Sequence, residues 1–394
     1  MKSTQTASHK LVKQINKSIV FEAIKTKGPI SRAQISKETG LNKATVSTMV
    51  SELIKASFVD EIGEGKSSGG RKPVMLYFNQ HAGYSIGIDL GVNYILAVLT
   101  DLDGNKVKET VRKLESTKIN KVMDLLNQMI DSFIKKAPES PYGIIGIGIG
   151  VPAQIDRKGT ILFAPNLKWK NVDLKQKIED RFQIPTVVEN EANAGAHGEQ
   201  LYGAGRDIKN QIYVSIGVGI GTGIIINHQL YKGSSGISGE IGHMTIDANG
   251  QKCSCGSRGC WELYASEKAL LDAAEKEKIA NPIDLDFLLK EAKAANPTVL
   301  QLLNTLGENI GIGLVNIVNT FNPGAVIIGN RMTLFENWIT NPIERTLSER
   351  LSVYHKDNTE IRFSALGNNS IALGVNSFAI TNFLAEHKIQ SQLN

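Results

Sequence analysis

The sequence has few cysteines and no long apolar run. Only three cysteines occur among its 394 residues, and an odd number cannot form a complete disulfide framework. The longest apolar stretches, such as residues 144–152, are far shorter than the roughly 20 residues that a membrane-spanning helix needs. The first ten residues are polar and lack the apolar core of a signal peptide. These absences exclude a disulfide-rich secreted domain and an integral membrane protein, and they predict a cytoplasmic location.

The composition is that of a globular protein with an unevenly distributed charge. Hydrophobic residues make up 41% and charged residues 21%, and a chain of this length is expected to form two or three domains. Residues 1–80 carry a net charge of +7, whereas the rest of the chain carries −2. A basic segment before a near-neutral body predicts binding to a polyanion. A solubilising tail is the alternative, but the apolar periodicity of the segment argues against it.

Residues 12–56 have the pattern of three short helices. The first is predicted over residues 12–27, where apolar residues recur at helical spacing. Ser31 is the predicted N-cap of a second helix over residues 32–39. Asn42 is the predicted N-cap of a third helix, whose buried stripe would consist of Val46, Met49, Val50 and Leu53.

This order of helices is typical of a helix-turn-helix unit. Such a unit presents the first residues of its last helix to the DNA major groove. Short polar and basic side chains there can bond bases and phosphates. A small helical bundle without DNA-binding function is the alternative. The DNA-binding residues predicted in this part are Ser31, Arg32, Asn42, Lys43, Thr45, Ser47 and Thr48.

Residues 57–79 have the strand–loop–strand pattern of a wing. The loop contains the sequence Ser-Ser-Gly-Gly-Arg-Lys-Pro, in which the basic residues are Arg71 and Lys72. Arginine beside flexible glycines is suited to a narrow, A·T-rich minor groove, because such grooves have an enhanced negative potential. An ordinary hairpin with incidental basic residues is the alternative. Together with the three helices, this pattern predicts a winged helix-turn-helix DNA-binding domain over residues 1–80.

From about residue 83, buried strands alternate with helices. A strand, a glycine-containing turn and a second strand occur around Gly91 and recur around residues 217–223. The two units lie about half of this body apart along the chain. The repetition predicts two similar α/β lobes, and ligands commonly bind in the cleft between such units.

All three cysteines lie in one short segment. Cys253, Cys255 and Cys260 follow His243 in the spacing His-x9-Cys-x-Cys-x4-Cys. Three thiolates and one imidazole suit a tetrahedral zinc ion with no open position, and cytoplasmic thiols are rarely held as disulfides. Three unrelated free thiols are the alternative, which the clustering disfavours. The spacing therefore predicts a structural zinc site.

Several of these motifs resemble those of the ROK family, whose name covers repressors, open reading frames and kinases. The resemblance spans residues 83–387. It rests on Val-Glu-Asn-Glu-Ala-Asn-Ala at residues 188–194, on Gly-Glu-Ile-Gly-His at residues 239–243 and on the cysteine cluster. For the zinc site, the family resemblance implies the same four ligands.

The resemblance implies an α/β fold in which the N-terminal winged helix-turn-helix is followed by a two-lobed, actin-like ATPase or sugar-kinase fold. Lobe 1 would cover residues 81–190 and would be completed by a C-terminal helix over residues 371–388. Lobe 2, with the zinc site, would cover residues 191–370.

The resemblance also implies a sugar site between the lobes. Sugar hydroxyls are bound by side chains that donate and accept hydrogen bonds, chiefly carboxylates and amides. His243 would use one ring nitrogen for zinc and the other for the sugar. Surface positions are the alternative for Glu240 and Glu262. The implied sugar-binding residues are Asn190, Glu191, Glu240, His243 and Glu262, with Asn166 as a further candidate.

The sequence departs from the ROK kinases at several positions. Those kinases carry an Asn-Asp pair whose aspartate is the general base, and Glu191 takes that place here. The additional methylene displaces the carboxylate by roughly 1 Å, a misplacement that can cost about 100-fold in rate. Val92 and Asn93 stand where the kinases have a glycine and a threonine in the first phosphate loop, and Ala153 and Asn330 replace two further glycines. These changes predict a kinase scaffold retained for sensing.

Among family members, the chain most resembles the sugar-responsive repressors. This implies a homodimer on double-stranded operator DNA that represses xylose-utilisation genes and is released by D-xylose, with glucose as a competing ligand. A sugar kinase with an accessory DNA-binding domain is the alternative. A regulator that answers to a partner protein is a third hypothesis.

Overall fold

Helices and strands alternate along most of the chain. The computed structural model describes residues 2–64, 73–279, 282–387 and 389. The helices are α1 (Lys2–Lys27), α2 (Arg32–Thr39), α3 (Lys43–Lys55), α4 (Ile119–Lys136), α5 (Leu174–Phe182), α6 (Glu191–Tyr202), α7 (Glu262–Ala265), α8 (Glu267–Lys276), α9 (Leu285–Lys293), α10 (Pro297–Phe321), α11 (Glu336–Arg350), α12 (Val353–Lys356) and α13 (Ser370–Glu386). The strands are β1 (Ile30–Ser31), β2 (Val59–Glu64), β3 (Val74–Phe78), β4 (Tyr84–Leu90), β5 (Tyr94–Asp101), β6 (Lys106–Lys113), β7 (Ile144–Val151), β8 (Gln154–Ile155), β9 (Ile161–Ala164), β10 (Trp169–Val172), β11 (Thr186–Asn190), β12 (Gln211–Ile216), β13 (Ile220–Ile226), β14 (Gln229–Leu230), β15 (Ala325–Gly329) and β16 (Glu360–Phe363).

The N-terminal part consists of α1, α2 and α3 with a small antiparallel sheet in the order β1-β3-β2. The predicted caps of two helices are confirmed. The Ser31 hydroxyl accepts a hydrogen bond from the backbone of Gln34, which forms a capping box, and the Asn42 side chain accepts one from the backbone of Thr45 at 2.8 Å. The predicted start of the first helix was wrong, because α1 begins at Lys2. No glycine or proline in the first eleven residues interrupts it.

The predicted hairpin is present as β2 and β3, which pair antiparallel. Its second strand also pairs with β1, a two-residue strand that the sequence pattern did not indicate. The predicted minor-groove residues Arg71 and Lys72 lie outside the described residues.

The rest of the chain contains two five-stranded sheets and a small sheet of β8, β9 and β10, together with helices α4 to α13. The first sheet has the order β11-β7-β4-β5-β6, and the second has the order β14-β13-β12-β15-β16. Each combines parallel neighbours with an antiparallel hairpin, β4–β5 in the first sheet and β12–β13 in the second. This confirms the predicted repeat of two strand–turn–strand units.

The second glycine turn is shorter than predicted, because β13 already begins at Ile220. Gly221 and Gly223 therefore lie in a strand and not in a turn. A Cβ atom at Gly223 would lie 2.3 Å from the carbonyl oxygen of Ala192 on α6. This glycine allows the close approach of a helix to the sheet.

Helices α6 and α13 pack against each other between the sheets. Helix α6 begins where β11 of the first sheet ends, and it contacts β12 and β13 of the second. Helix α13 contacts α6 and the first-sheet strands β4 and β7. A Cβ atom at Gly374 of α13 would lie 1.8 Å from the carbonyl oxygen of Ala194 on α6. The two backbones therefore meet at a position that only glycine can occupy.

The far end of α13 contacts the N-terminal part through an aromatic cluster. The rings of Phe58 and Tyr142 stack at a centroid distance of 5.2 Å, and the Phe58 ring lies 5.9 Å from that of Phe383 on α13. The Tyr142 hydroxyl donates to the carbonyl oxygen of Ala56 at 2.9 Å. A buried core thus continues from the three N-terminal helices into the first-sheet region.

Among the residues that the structure describes, none of the helices is both long and apolar enough to cross a membrane.

Candidate functional site

A cavity of about 180 Å³ lies between the two sheets. The turn after β4, the start of α6, the turn after β12 and residues 238–243 contribute to its lining. The structure brings together every residue predicted to bind a sugar, although their role as ligands stays a prediction. These cavity-lining residues are Asn166, Asn190, Glu191, Glu240, His243 and Glu262.

Asn190 and Glu191 are held at the junction of β11 and α6. Asn190 is the N-cap of α6, and its Oδ1 accepts hydrogen bonds from the backbone of Ala192 at 2.9 Å and of Asn193 at 3.1 Å. Its Nδ2 donates to the carbonyl oxygen of Ala153 at 3.0 Å. Every polar atom of this side chain is thus engaged, which fixes its orientation at the cavity.

Two carboxyl groups belong to this side of the cavity region, that of Asp89, which is buried, and that of Glu191, which is half-buried. The Tyr94 hydroxyl donates to Asp89 Oδ2 at 2.6 Å, and the Ser215 hydroxyl donates to Glu191 Oε1 at 3.3 Å. Burial, reinforced by the nearby Glu191 carboxyl, raises the pKa of Asp89 to about 8. Burial also raises the pKa of Glu191 to about 7, against the opposing effect of the Ser215 hydrogen bond. The pair therefore carries less negative charge near neutral pH than two exposed carboxylates.

Glu240, His243 and Glu262 approach the cavity from the other side. His243 Nε2 lies 3.9 Å from Glu240 Oε2, and His243 Nδ1 lies 3.4 Å from Glu262 Oε1. The Glu240 side chain is 40% exposed, whereas that of Glu262 is 19% exposed. Burial raises the pKa of Glu240, which the neighbouring His243 partly offsets. Carboxylates and an imidazole therefore converge on one small space.

The four residues of the predicted metal site also come together. One ligand atom from each of them lies within 4.8 Å of all the others. Cys253 Sγ lies 3.7 Å from His243 Nδ1, and Cys255 Sγ lies 3.6 Å from Cys260 Sγ. Gly259 has a φ of +64°, and a Cβ atom there would lie 1.7 Å from a backbone oxygen. Three thiols and an imidazole at this spacing can hold a metal ion, with His243 Nδ1 facing the sulfur atoms and Nε2 facing Glu240.

Tyr94 lines the cavity but is not predicted from the sequence. Its ring lies across Gly91, where a Cβ atom would be only 2.4 Å from Cε1 of the ring. Its hydroxyl is engaged by the buried Asp89. The signal available in the sequence was its position just after the first glycine turn. Some departures from the kinase pattern line the same cavity. Three of them lie just after strands β4, β7 and β15, namely Val92, Ala153 and Asn330.

The predicted DNA-contacting residues divide into two groups. Asn42, Lys43, Ser47 and Thr48 are exposed at the start of α3, and Thr45 among them is half-buried. In contrast, Ser31 is buried and its hydroxyl caps α2, which gives it a structural role. Arg32 is half-buried and pairs with Glu61 at 2.7 Å. We refer to Asn42, Lys43, Ser47 and Thr48 as the α3 face.

The raised pKa values of Asp89 and Glu191 predict a pH-dependent stability. Both values exceed the roughly 4 of an unfolded chain, so the folded protein binds more protons between about pH 4 and pH 8. This contribution to stability is full below about pH 4 and is lost as the pH rises through the folded-state values. We expect the free energy of unfolding to fall between about pH 5.5 and pH 8, and Glu191→Gln to reduce that fall. Urea unfolding at both pH values checks this, and an equal fall in both proteins would contradict it.

Comparisons with known proteins agree with this architecture. Residues 85–382 match the model of the ROK family. The chain is 50% identical over 379 residues to a protein named xylose repressor from Bacillus subtilis (strain 168), covering 96% of this chain and 98% of that protein.

Two solved structures are also similar. The crystal structure of a ROK family transcriptional regulator, described as a homolog of the E. coli MLC protein, matches with a TM-score of 0.80 and 26% identity, covering 96% of this chain and 99% of that chain. A ROK family glucokinase from Streptomyces griseus, in complex with glucose and AMPPNP, matches with a TM-score of 0.69 and 28% identity, covering 75% of this chain and 98% of that chain. Since the family model spans most of the sequence, the chain belongs to the ROK family.

Proposed function

We propose that this protein is a transcriptional repressor of xylose-utilisation genes that D-xylose releases from operator DNA. The strongest support for this proposal is that the 50% identity to a xylose repressor extends over 96% of this chain. It therefore covers the basic N-terminal helices as well as the cavity between the sheets. A protein that only phosphorylated a sugar would not need the N-terminal part.

The N-terminal 80 residues form, in this proposal, a winged helix-turn-helix domain. Support comes from the order α1, α2, α3 and the β2–β3 hairpin, and from the exposed polar side chains of the α3 face. This face would enter the major groove, while Arg71 and Lys72 would enter the minor groove. Two copies in a homodimer would occupy two half-sites of the operator.

We place the sugar in the cavity of about 180 Å³ between lobe 1, residues 81–190 with the C-terminal helix 371–388, and lobe 2, residues 191–370. The supporting feature is the density of acceptors and donors there, which suits a molecule that carries a hydroxyl on nearly every carbon. The volume is below the roughly 300–1,000 Å³ of pockets for drug-sized ligands, which favours a single small sugar.

Helices α6 and α13 offer a physical route from the cavity to DNA. Helix α6 begins at the cavity with Glu191, α13 packs along it, and Phe383 of α13 contacts the aromatic cluster at Phe58. Closure of the lobes around xylose would shift these helices and change the spacing of the two DNA-binding domains. To shift the ratio of DNA-releasing to DNA-binding molecules from 1:99 to 99:1, the sugar must bind the releasing state about 5.5 kcal/mol more tightly.

Zinc is the metal that the Cys₃His donor set suits best. Cys253, Cys255, Cys260 and His243 would hold it with no open position, so the ion would be structural. It would orient the His243 ring and keep residues 240–262 folded beside the cavity.

The kinase hypothesis is the weaker one. Glu191 stands in place of a catalytic aspartate, and Tyr94 occupies the first glycine turn with its hydroxyl on Asp89. Val92 adds a β-branched side chain where backbone would have to approach phosphates. We therefore assign a regulatory and not an enzymatic role.

Separate variants should affect DNA and sugar binding independently. Lys43→Ala removes a cation from the α3 face and should lower operator affinity about three- to tenfold without changing xylose binding. Glu240→Gln should lower xylose affinity about tenfold without changing operator binding in the absence of sugar. Calorimetry with xylose and anisotropy with labelled operator measure the two affinities.

Lys135→Ala, which removes an exposed cation from α4 far along the chain, is the matched control for Lys43→Ala. It should leave both affinities unchanged. If Lys43→Ala reduced sugar affinity in parallel with DNA affinity, the proposed division of labour would be wrong.

Loss of the metal should weaken sugar binding and leave DNA binding intact. Cys253→Ser removes one thiolate, so the zinc content of the purified protein should fall from about one ion per chain to much less. Xylose affinity should fall with it, because His243 and Glu262 lose their support. Metal analysis and calorimetry test this on the same preparation. Full zinc content in the variant, or unchanged xylose affinity in a zinc-free sample, would contradict the assignment.

A further inference from the structure

One ion pair links the segment that follows β14 of the second sheet to β11 of the first sheet, one residue before the cavity-lining Asn190. Lys232 Nζ lies 2.5 Å from Glu189 Oε2. Lys232 follows β14 of the second sheet, whereas Glu189 lies on β11 of the first sheet, next to Asn190. The Glu189 side chain is 9% exposed and that of Lys232 is 41% exposed. A nearly buried carboxylate is therefore neutralised by a cation from the other side of the cleft.

The other oxygen of the same carboxylate holds the start of α6. Glu189 Oε1 accepts hydrogen bonds from the backbone of Asn190 at 3.0 Å and from Asn193 Nδ2 at 3.1 Å. One carboxylate thus orients the Asn190 turn with one oxygen and binds Lys232 with the other. The position of Lys232 and the position of Asn190 are therefore linked through a single side chain, that of Glu189.

Lys232 also touches α13. Its Nζ lies over the ring of Phe378, 5.6 Å from the ring centroid. At this distance the ring face attracts the cation. Phe378 in turn stacks on His197 of α6 at a centroid distance of 4.4 Å. The cation therefore meets strand β11 and helix α13, both of which pack in the first-sheet region.

The segment that carries Lys232 leads into the cavity. This segment, residues 232–239, directly precedes the cavity-lining Glu240. Its three glycines, Gly233, Gly236 and Gly239, have φ values of +69°, +92° and +91°. Arg157 Nη2 makes a second contact across the cleft, donating to the carbonyl oxygen of Gly233 at 3.4 Å. At its other end the segment is fixed to β13, since the Thr222 hydroxyl donates to the carbonyl oxygen of Gly239 at 2.6 Å.

We propose that the Lys232–Glu189 pair is a latch that holds the cleft closed and positions Asn190 and Glu191 for the ligand. Lys232 is in this sense a positioning residue. Its charge is satisfied by Glu189 only when residues 232–239 lie against the first-sheet region. The ligand's identity rests on the proposed function, whereas the latch joins the two sides whether or not a sugar is bound.

The latch should determine how tightly the sugar binds. If only the closed form binds the sugar well, the apparent dissociation constant scales inversely with the fraction of closed molecules. Breaking the pair should lower that fraction and weaken sugar binding. Because the proposed function links closure to DNA release, operator affinity in the absence of sugar should stay the same or rise, and it should not fall. An ion pair that only stabilised the local fold would lower thermal stability without this selective effect.

The test compares Lys232→Met, which keeps the length of the side chain and removes its charge, with Lys232→Arg, which keeps the charge. Lys268→Met is the matched control, because Lys268 pairs with Asp272 at 2.5 Å within α8 alone. Amide hydrogen exchange without sugar is measured first. Lys232→Met should speed exchange in residues 188–194 and 231–240 together, and Lys232→Arg should restore slow exchange in both.

Xylose affinity is measured next on the same proteins. Lys232→Met should weaken it about three- to tenfold, a range that suits a half-exposed charge pair, and Lys268→Met should leave it unchanged. Glu189→Gln serves as a second variant that breaks the pair from the other side should Lys232→Met fold poorly. It should speed exchange in the same two segments.

The outcomes separate the latch from the proposed function. Unchanged exchange in both segments, or a change confined to one of them, would overturn the latch. So would a loss of xylose affinity that Lys232→Arg fails to restore. Coupled faster exchange in a protein whose wild type binds no xylose would support the latch and refute xylose as the ligand.

Discussion

The close packing of α6 against α13 is the contact on which the rest of the structure depends. Gly374 lets the two backbones meet, and the buried Glu199 carboxylate joins the helices by accepting a hydrogen bond from the Ser370 hydroxyl at 2.7 Å. Helix α6 starts at the cavity, and α13 ends at the aromatic cluster around Phe58. Because close-packed interiors have low compressibility and transmit strain, we expect a change at one end of this pair to reach the other.

The cavity itself shows how one scaffold can serve two kinds of function. Its carboxylates and imidazole suit a sugar in a kinase and in a regulator alike. What differs is the side on which a kinase would hold phosphates: here the Tyr94 ring lies across Gly91, and its hydroxyl is bonded to Asp89. A sensor needs binding and closure only, so the geometry for proton removal can be lost while the sugar-facing residues stay.

Much of the fold and of the site follows from local sequence signals. The caps at Ser31 and Asn42, the repeated strand–turn–strand units and the cysteine spacing are determined by residues near each other in the chain, so they could be predicted. Family motifs indicate five of the six candidate sugar-binding residues, with Asn166 as a further candidate. The bond between Tyr94 and Asp89 and the pair between Lys232 and Glu189 could not be found, because periodicity indicates which side of an element is buried but not which distant side chain meets it. For the same reason, the sequence pattern predicts a turn at close-packing glycines such as Gly223, which lies in a strand.

The central claim is that sugar binding to this chain changes its affinity for DNA. Fluorescence anisotropy of the purified protein on labelled DNA from its own promoter region, titrated with D-xylose, tests this most directly. The salt concentration must be fixed, because phosphate contacts make DNA affinity steeply dependent on ionic strength. We expect tight binding without sugar and release by D-xylose but not by arabinose. Specific DNA binding that D-xylose does not change, or no specific DNA binding at all, would contradict the central claim.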